Sequence, residues 1–163
     1  EPEFIRVVPT NVGWKHNGEN VMGRGVARGA AIRYPGLAAW YGGECQANAG
    51  QLTFLSVYKS MILFPVKRPK YGQPPHLVWQ NSADPALIRE SARLLAKMCP
   101  EQQIVLPLVG CGNRGLKPEQ VLLTLSYYLV DQRFLLVLTS IDYSEIMQLL
   151  LEQDTRYLNE VAI

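Results

Sequence analysis

Charge is scarce in this chain. Of 163 residues 18% are charged, 16 basic and 14 acidic, giving a net charge of +2. An ordinary soluble domain carries about a quarter of its residues as charges. So small a net charge gives no electrostatic footprint for bulk nucleic-acid binding, but it leaves room for local recognition of one nucleotide. Cysteine is scarce too. Cys45, Cys99 and Cys111 match neither a CxxC pair nor a zinc pattern, and an odd count beside an ordinary apolar core points to a reducing compartment. The two histidines, His16 and His76, sit in polar stretches with no carboxylate or cysteine arranged beside them, so both read as surface residues and no metal is expected. No apolar run is long enough to cross a bilayer and no signal peptide is visible, so the expectation is a soluble, cytoplasmic, monomeric chain. Repeats, low-complexity tracts and linkers are also missing. The chain therefore reads as one domain over 1–163, with 1–4 set aside as a candidate cloning remnant.

What is present is an apolar content of 48%, enough for a proper core, distributed in alternating strand-like and helix-like runs. Residues 4–9 form a short apolar run that predicts a strand, and the polar, glycine-containing 11–20 predicts a loop. Residues 25–34 read as a helix ended by Pro35-Gly36, with another turn over 38–43. The β-rich runs 52–58 and 61–66, separated by Lys59-Ser60, predict a hairpin, and the proline-rich 67–75 a loop. Ile88, Ala92, Leu95 and Cys99 recur at helical spacing and predict an amphipathic helix over 85–99. The nearly continuous apolar run 104–109 predicts a strand covered on both faces, where Pro107 stops the pairing and turns the chain toward a site. A helix over 118–130, a buried strand over 134–138 and a last helix over 143–152, capped by Asp142 with Glu145, complete the reading. One hairpin within a βα alternation predicts an α/β fold with a mixed sheet and helices on both faces.

Two segments share one design. Val21-Met22-Gly23-Arg24-Gly25-Val26-Ala27 is a glycine-rich turn opening a helix, and Gly110-Cys111-Gly112-Asn113-Arg114-Gly115-Leu116 follows a strand and precedes another helix. Glycines let backbone N–H groups approach an anion, and a helix N-terminus adds favourable partial charge. Two such loops at strand ends form a cradle for a diphosphate. The common nucleotide signatures do not fit. GxxxxGK[ST] is absent, and the GxGxxG letters of 110–115 come late in the chain, with Gln132 and Arg133 where a ribose-binding acid belongs.

Three motifs then carry a resemblance. Asn20-Val21-Met22-Gly23-Arg24-Gly25-Val26-Ala27, followed by a basic helix ending in Tyr34-Pro35, resembles the first loop of the macrodomains. It is most similar to the branch holding the DarG antitoxins and the terminal ADP-ribose glycohydrolases. Phe64-Pro65-Val66-Lys67-Arg68 resembles the FPTKR segment of that branch, and 106–116, from Leu106 through Leu108 to Leu116, resembles its PxLGCGxGGL loop. The motifs stand in the family's order over roughly residues 8–138.

The resemblance implies a three-layer α/β/α fold with an ADP-ribose cleft at the strand ends. It implies ADP-ribose contacts from Asn20, Val21, Met22, Gly23, Gly25 and Val26 in the first loop. In the second it implies contacts from Leu108, Gly110, Cys111, Gly112, Asn113, Arg114, Gly115 and Leu116, while Asp142 and Tyr143 border the adenine. It makes Lys67 the sharpest catalytic candidate, as nucleophile at the anomeric carbon or electrostatic partner of the leaving group. A nucleophilic lysine needs its pKa lowered by burial or a neighbouring cation, and Arg68 and Lys70 are the neighbours in sequence. Asn11 is the second catalytic candidate, placed to orient the distal ribose or the leaving group, with Asn20 an alternative occupant of that role. Cys111 reads as compact packing; Trp79 and Trp14 are both candidates to stack on a base, with core or surface packing the favoured reading for Trp79 and Trp14 left open.

The implied reaction is removal of ADP-ribose from a modified target, a DNA base or a protein carboxylate, with no cofactor beyond the ADP-ribose ligand and with a toxin as partner if the chain is antitoxin-like. A non-catalytic ADP-ribose reader and an ADP-ribose 1″-phosphate phosphatase are the alternatives. The chain departs from the family in three places. Residues 13–19, with Trp14, Lys15 and His16, look inserted. Arg114 stands at or near the aspartate of the protein-directed glycohydrolases. A first edge strand seen in relatives has no counterpart in the sequence.

Overall fold

The computed structural model describes residues 4–52, 54–98, 101–112 and 114–138. In chain order the elements are β1 (Phe4–Asn11), α1 (Gly25–Arg33), α2 (Leu37–Ala47), β2 (Val57–Tyr58), β3 (Met61–Lys67), a 3₁₀ helix (Pro75–Gln80), α3 (Pro85–Lys97), β4 (Gln103–Pro107), α4 (Pro118–Tyr128) and β5 (Phe134–Val137). The sheet runs β2-β3-β1-β4-β5. β3, β1, β4 and β5 are parallel, and β2 pairs antiparallel with β3, so the sheet is mixed.

Both faces of the central strands are covered, which explains their unbroken apolar runs. Val7, Ile62 and Phe64 point to one side, where Ile88, Ala92 and Leu95 of α3 and Val121 and Leu125 of α4 close the first core cluster. Val8, Met61 and Leu63 point to the other, against Leu37, Tyr41 and Cys45 of α2, with Ala27, Ala30 and Ala31 of α1 at the edge. The result is an α/β/α sandwich. Each fully buried Leu, Ile or Phe contributes roughly 1.5–3 kcal/mol. α3 is the best-defined helix. Asp84 caps it by accepting from Ala86 N at 2.9 Å and Leu87 N at 3.3 Å, and Pro85 sits in its first turn.

Several boundaries differ from the sequence reading, each for a local reason. The expected strand over 52–58 shrinks to Val57–Tyr58 because Leu55 turns into the first core cluster instead of joining the ladder. Lys59 completes the tight turn at φ +52°. The turn expected over 38–43 is a full helix, Leu37–Ala47, whose Tyr41 and Cys45 bury one turn apart. The loop expected over 67–75 passes into a 3₁₀ helix, with Pro75 in its first turn and Val78 buried. β5 is the edge strand of the described sheet, not a fully buried one, and Val137 is 56% exposed. β4 does stop pairing at Pro107, as its proline requires. The helix expected over 143–152 and its Asp142 cap lie outside the described residues, as does Cys99.

Candidate functional site

The C-terminal ends of β1, β3 and β4 open into one cleft, the usual ligand position in α/β sheets. Its volume is about 480 Å³, within the ordinary range for small-molecule sites. The floor comes from Pro9, Thr10 and Asn11 of β1, Val66 and Lys67 of β3, and Pro107 at the end of β4. One wall is the first glycine loop running into α1, from Val21 and Gly23 to Ala27, and the other comprises Leu108, Gly110 and Gly112 with Trp79 and Ala83. Its charged lining residues among those described are Arg24 and Lys67, both cationic, and no Asp or Glu lines it.

The first loop is held from below by asparagine amides. Asn20 is completely buried and donates through Nδ2 to Asn11 O at 2.8 Å and Gly13 O at 2.7 Å. Asn11 donates through Nδ2 to Val21 O at 2.9 Å and accepts from Gly13 N at 2.9 Å. Two side chains thereby fix both ends of the segment expected to be an insertion. Above them the chain is open. α1 begins at Gly25, φ +55°, with Arg24 in the N-cap position and no side chain capping its first N–H groups. Gly25, Val26 and Ala27 of that uncapped first turn line the cleft, so the donors an anion would use face the space an anion would fill. A Cβ at Gly23 would meet nothing within 4 Å, so the glycine leaves open space there.

The second loop is held by its own backbone. Leu116 N donates to Gly110 O at 2.8 Å and Gly115 N to Gly112 O at 2.7 Å. A Cβ at Gly115 would collide with Gly110 O, Gly112 O and the Cys111 carbonyl carbon, so only glycine fits. Arg114 takes φ +54°, unusual for a side chain of its length.

Lys67 ends β3 directly opposite Asn11, across an irregularity in the β1–β3 register. Its Nζ donates to Trp79 O at 3.1 Å. Burial first, and the neighbouring Arg114 guanidinium second, hold its pKa below the ordinary lysine value. The neighbour differs from the sequence expectation. Arg68 turns away to Asp84, Nε to Oδ2 2.7 Å, and to Glu90, Nη2 to Oε2 3.3 Å. Neither Arg68 nor Lys70 contributes to the lowering. Adjacency in sequence misleads here because successive residues at a strand end point to opposite sides.

Of the residues singled out from sequence, Asn11, Val21, Gly23, Gly25, Val26, Lys67, Leu108, Gly110 and Gly112 line the cleft. Asn20 and Met22 are buried beneath it, Met22 in the second core cluster. Cys111 and Leu116 pack on the first cluster, and Arg114 and Gly115 are exposed and do not line the cleft. Asn113, Asp142 and Tyr143 lie outside the described residues. Sequence reasoning passed over Arg24, which sits inside the very motif it quoted, and favoured packing over base stacking for Trp79, which lines the cleft. His16 is exposed, as expected, and His76 is half-buried; their rings meet at 4.5 Å and join the 13–19 loop to the 3₁₀ helix. Trp14 packs against the second cluster. Cys45 lies under the floor, where burial pushes its thiol up to about 12, and it is inert.

Among the described residues no group of three or more metal-ligating side chains occurs, and no helix is long and apolar enough to cross a membrane. No family model matches the sequence, and no curated protein matches it. Solved structures do. The macrodomain of Thermus aquaticus DarG is 21% identical with a TM-score of 0.62, over 85% of this chain and 89% of that one. The macrodomain of Mycobacterium tuberculosis DarG is 23% identical with a TM-score of 0.61, over 82% and 87%. Thermosipho africanus DarTG in complex with ADP-ribose is 19% identical with a TM-score of 0.65, over 85% of this chain and 38% of that one. With its mixed five-stranded sheet between two helical layers and its cleft at the strand ends, the chain has the macrodomain fold.

Proposed function

We propose that the chain binds ADP-ribose in this cleft and hydrolyses the bond that joins it to a target. The observation that carries the binding is the pairing of an uncapped helix N-terminus with a lining whose charges, among the described residues, are all positive. A diphosphate is stabilised there by backbone N–H groups and by Arg24. A solved structure of similar fold, Thermosipho africanus DarTG, is in complex with ADP-ribose, which supports the choice of ligand.

Hydrolysis rests on Lys67. With the diphosphate between the loops, the distal ribose lies toward the floor, where Lys67 and Asn11 stand opposite each other. The bond from the anomeric carbon to the target breaks, water supplies the hydroxyl that replaces it, and the target leaves with the proton. Lys67 acts at the anomeric carbon in one of two ways: as a neutral amine that bonds to it while the target leaves, a bond that water then cleaves to free ADP-ribose and restore the amine, or as a cation that offsets charge on the leaving group while water attacks directly. Its lowered pKa enlarges the neutral fraction that attack requires. Asn11 keeps one of its two Nδ2 hydrogens for the ribose or the leaving group, the other being used on Val21 O. By likeness to the DarG branch the target is a modified DNA base, with protein carboxylates second. A toxin partner follows only if the chain is antitoxin-like, and a cytoplasmic site of action belongs to the same reading.

One observation favours a second reading, the non-catalytic reader: among the described residues no carboxylate lines the cleft to serve as a general base. Lys67→Ala separates the two. ADP-ribosylated oligonucleotide and ADP-ribosylated protein are incubated with wild type and variant, and released ADP-ribose is measured. The hydrolase reading expects release by the wild type and a loss of about 100-fold or more in the variant with ADP-ribose binding kept. Binding without release from either substrate leaves the reader.

A further inference from the structure

We propose that Arg114 is a positioning residue for Lys67: the two cations dock on successive carbonyls of the 3₁₀ helix, and this shared seat fixes the Lys67 amine at the cleft. Lys67 Nζ donates to Trp79 O at 3.1 Å, and Arg114 Nη1 donates to Gln80 O at 2.6 Å. Trp79 and Gln80 are the last two residues of the 3₁₀ helix, where carbonyls run out of intrahelical partners. The two donors arrive from different places, one from the end of β3 and one from the second glycine loop. Their meeting is a product of the tertiary fold.

The Arg114 backbone is pinned independently of its side chain. Its φ is +54°, and its carbonyl accepts from Ala83 N at 3.1 Å. A residue held in a costly conformation and bonded at both ends to one segment, 80–83, is a fixed post and not a wandering surface arginine. Arg68 is committed to Asp84 and Glu90. Arg24 lines the same cleft through the first loop. The depressed Lys67 pKa, caused by burial and then by Arg114, agrees with this geometry. The second glycine loop thus reaches the chemistry through a side chain that does not itself line the cleft.

The inference rests on Lys67 as the acting group, and its test reads Lys67 directly. Carbon-13 NMR of the lysine ε-carbons is followed against pH in the folded chain, with the Lys67 signal assigned by its loss in Lys67→Arg. Wild type is compared with Arg114→Gln, Arg114→Lys and Arg114→Gly. Glycine takes the φ of this position without strain, so Arg114→Gly reads the effect even if the glutamine variant fails to fold. The expected result is a Lys67 titration below that of the other lysines, moved upward by Gln and Gly and brought back by Lys. With Lys67 acting as the neutral amine, hydrolysis at neutral pH falls in Arg114→Gln and its rise with pH moves to higher pH. Identical Lys67 titrations in wild type, Gln and Gly variants overturn the proposal. A displaced titration in a chain that never releases ADP-ribose overturns the hydrolase reading and leaves the Arg114–Lys67 coupling standing.

Discussion

The two glycine loops look alike in sequence and are built on opposite physics. In the loop before α1 the space around Gly23 and Gly25 is empty, and rigidity comes from Asn11 and Asn20 beneath. In the loop after β4 two of the three glycines are packed: Gly115 folds back against the loop's own carbonyls and Gly110 lies against Ile88, while a Cβ at Gly112 would meet nothing within 4 Å. The first loop keeps glycine to leave room for a ligand, and the second keeps Gly110 and Gly115 because a side chain has no room there, with Gly112 alone left open at the cleft. A glycine-rich motif therefore carries two kinds of information, and only three-dimensional surroundings separate them.

The sharpest way to break that distinction is at Gly115. Gly115→Ala drives a methyl group into three backbone atoms and should cost ~3 kcal/mol, read as a clear fall in thermal midpoint. A variant as stable as wild type would show that the second loop has slack the structure does not reveal. Next comes the support of the first loop. Asn20→Ala removes two buried hydrogen bonds and strands two backbone carbonyls, a loss of ~2 kcal/mol in chemical denaturation. If stability is unchanged, the asparagine staple is not what holds the 13–19 segment. At Gly23 the effect should appear in binding alone. Gly23→Val leaves stability within ~0.5 kcal/mol and weakens ADP-ribose about tenfold, read by melting and by titration of the same samples.

The smallest effect concerns pH. With Lys67 held below the ordinary lysine value and acting as the neutral amine, turnover rises with pH and levels off before pH ~10.4, the usual lysine pKa. Had the charged form been the acting one, turnover would fall over the same interval. The direction of the pH–rate profile therefore decides which role Lys67 has.

Much of the fold was legible before any coordinates. The helical spacing of Ile88, Ala92 and Leu95, and the apolar runs of β3 and β4, are long-range patterns that burial imposes on sequence. The failures share a cause, because each depends on contacts that periodicity does not encode. Leu55 was read into a strand and instead plugs a core. The 3₁₀ helix was hidden in a proline-rich stretch, since proline marks a turn and a helix start equally well. Asn20 reads as a ligand group by residue type, yet it is fully buried and its amide is turned to the backbone. Arg114 was singled out as a departure from a pattern, and its link to Lys67 appears only when two loops meet on one helix.

The central claim is that the open loop and the uncapped α1 terminus together receive ADP-ribose. Calorimetric titration of the wild type and Gly23→Val with ADP-ribose tests it most directly. The account predicts one-to-one binding by the wild type and clearly weaker binding by the variant at equal folded stability. No heat from the wild type, or equal affinity in both proteins, would contradict it.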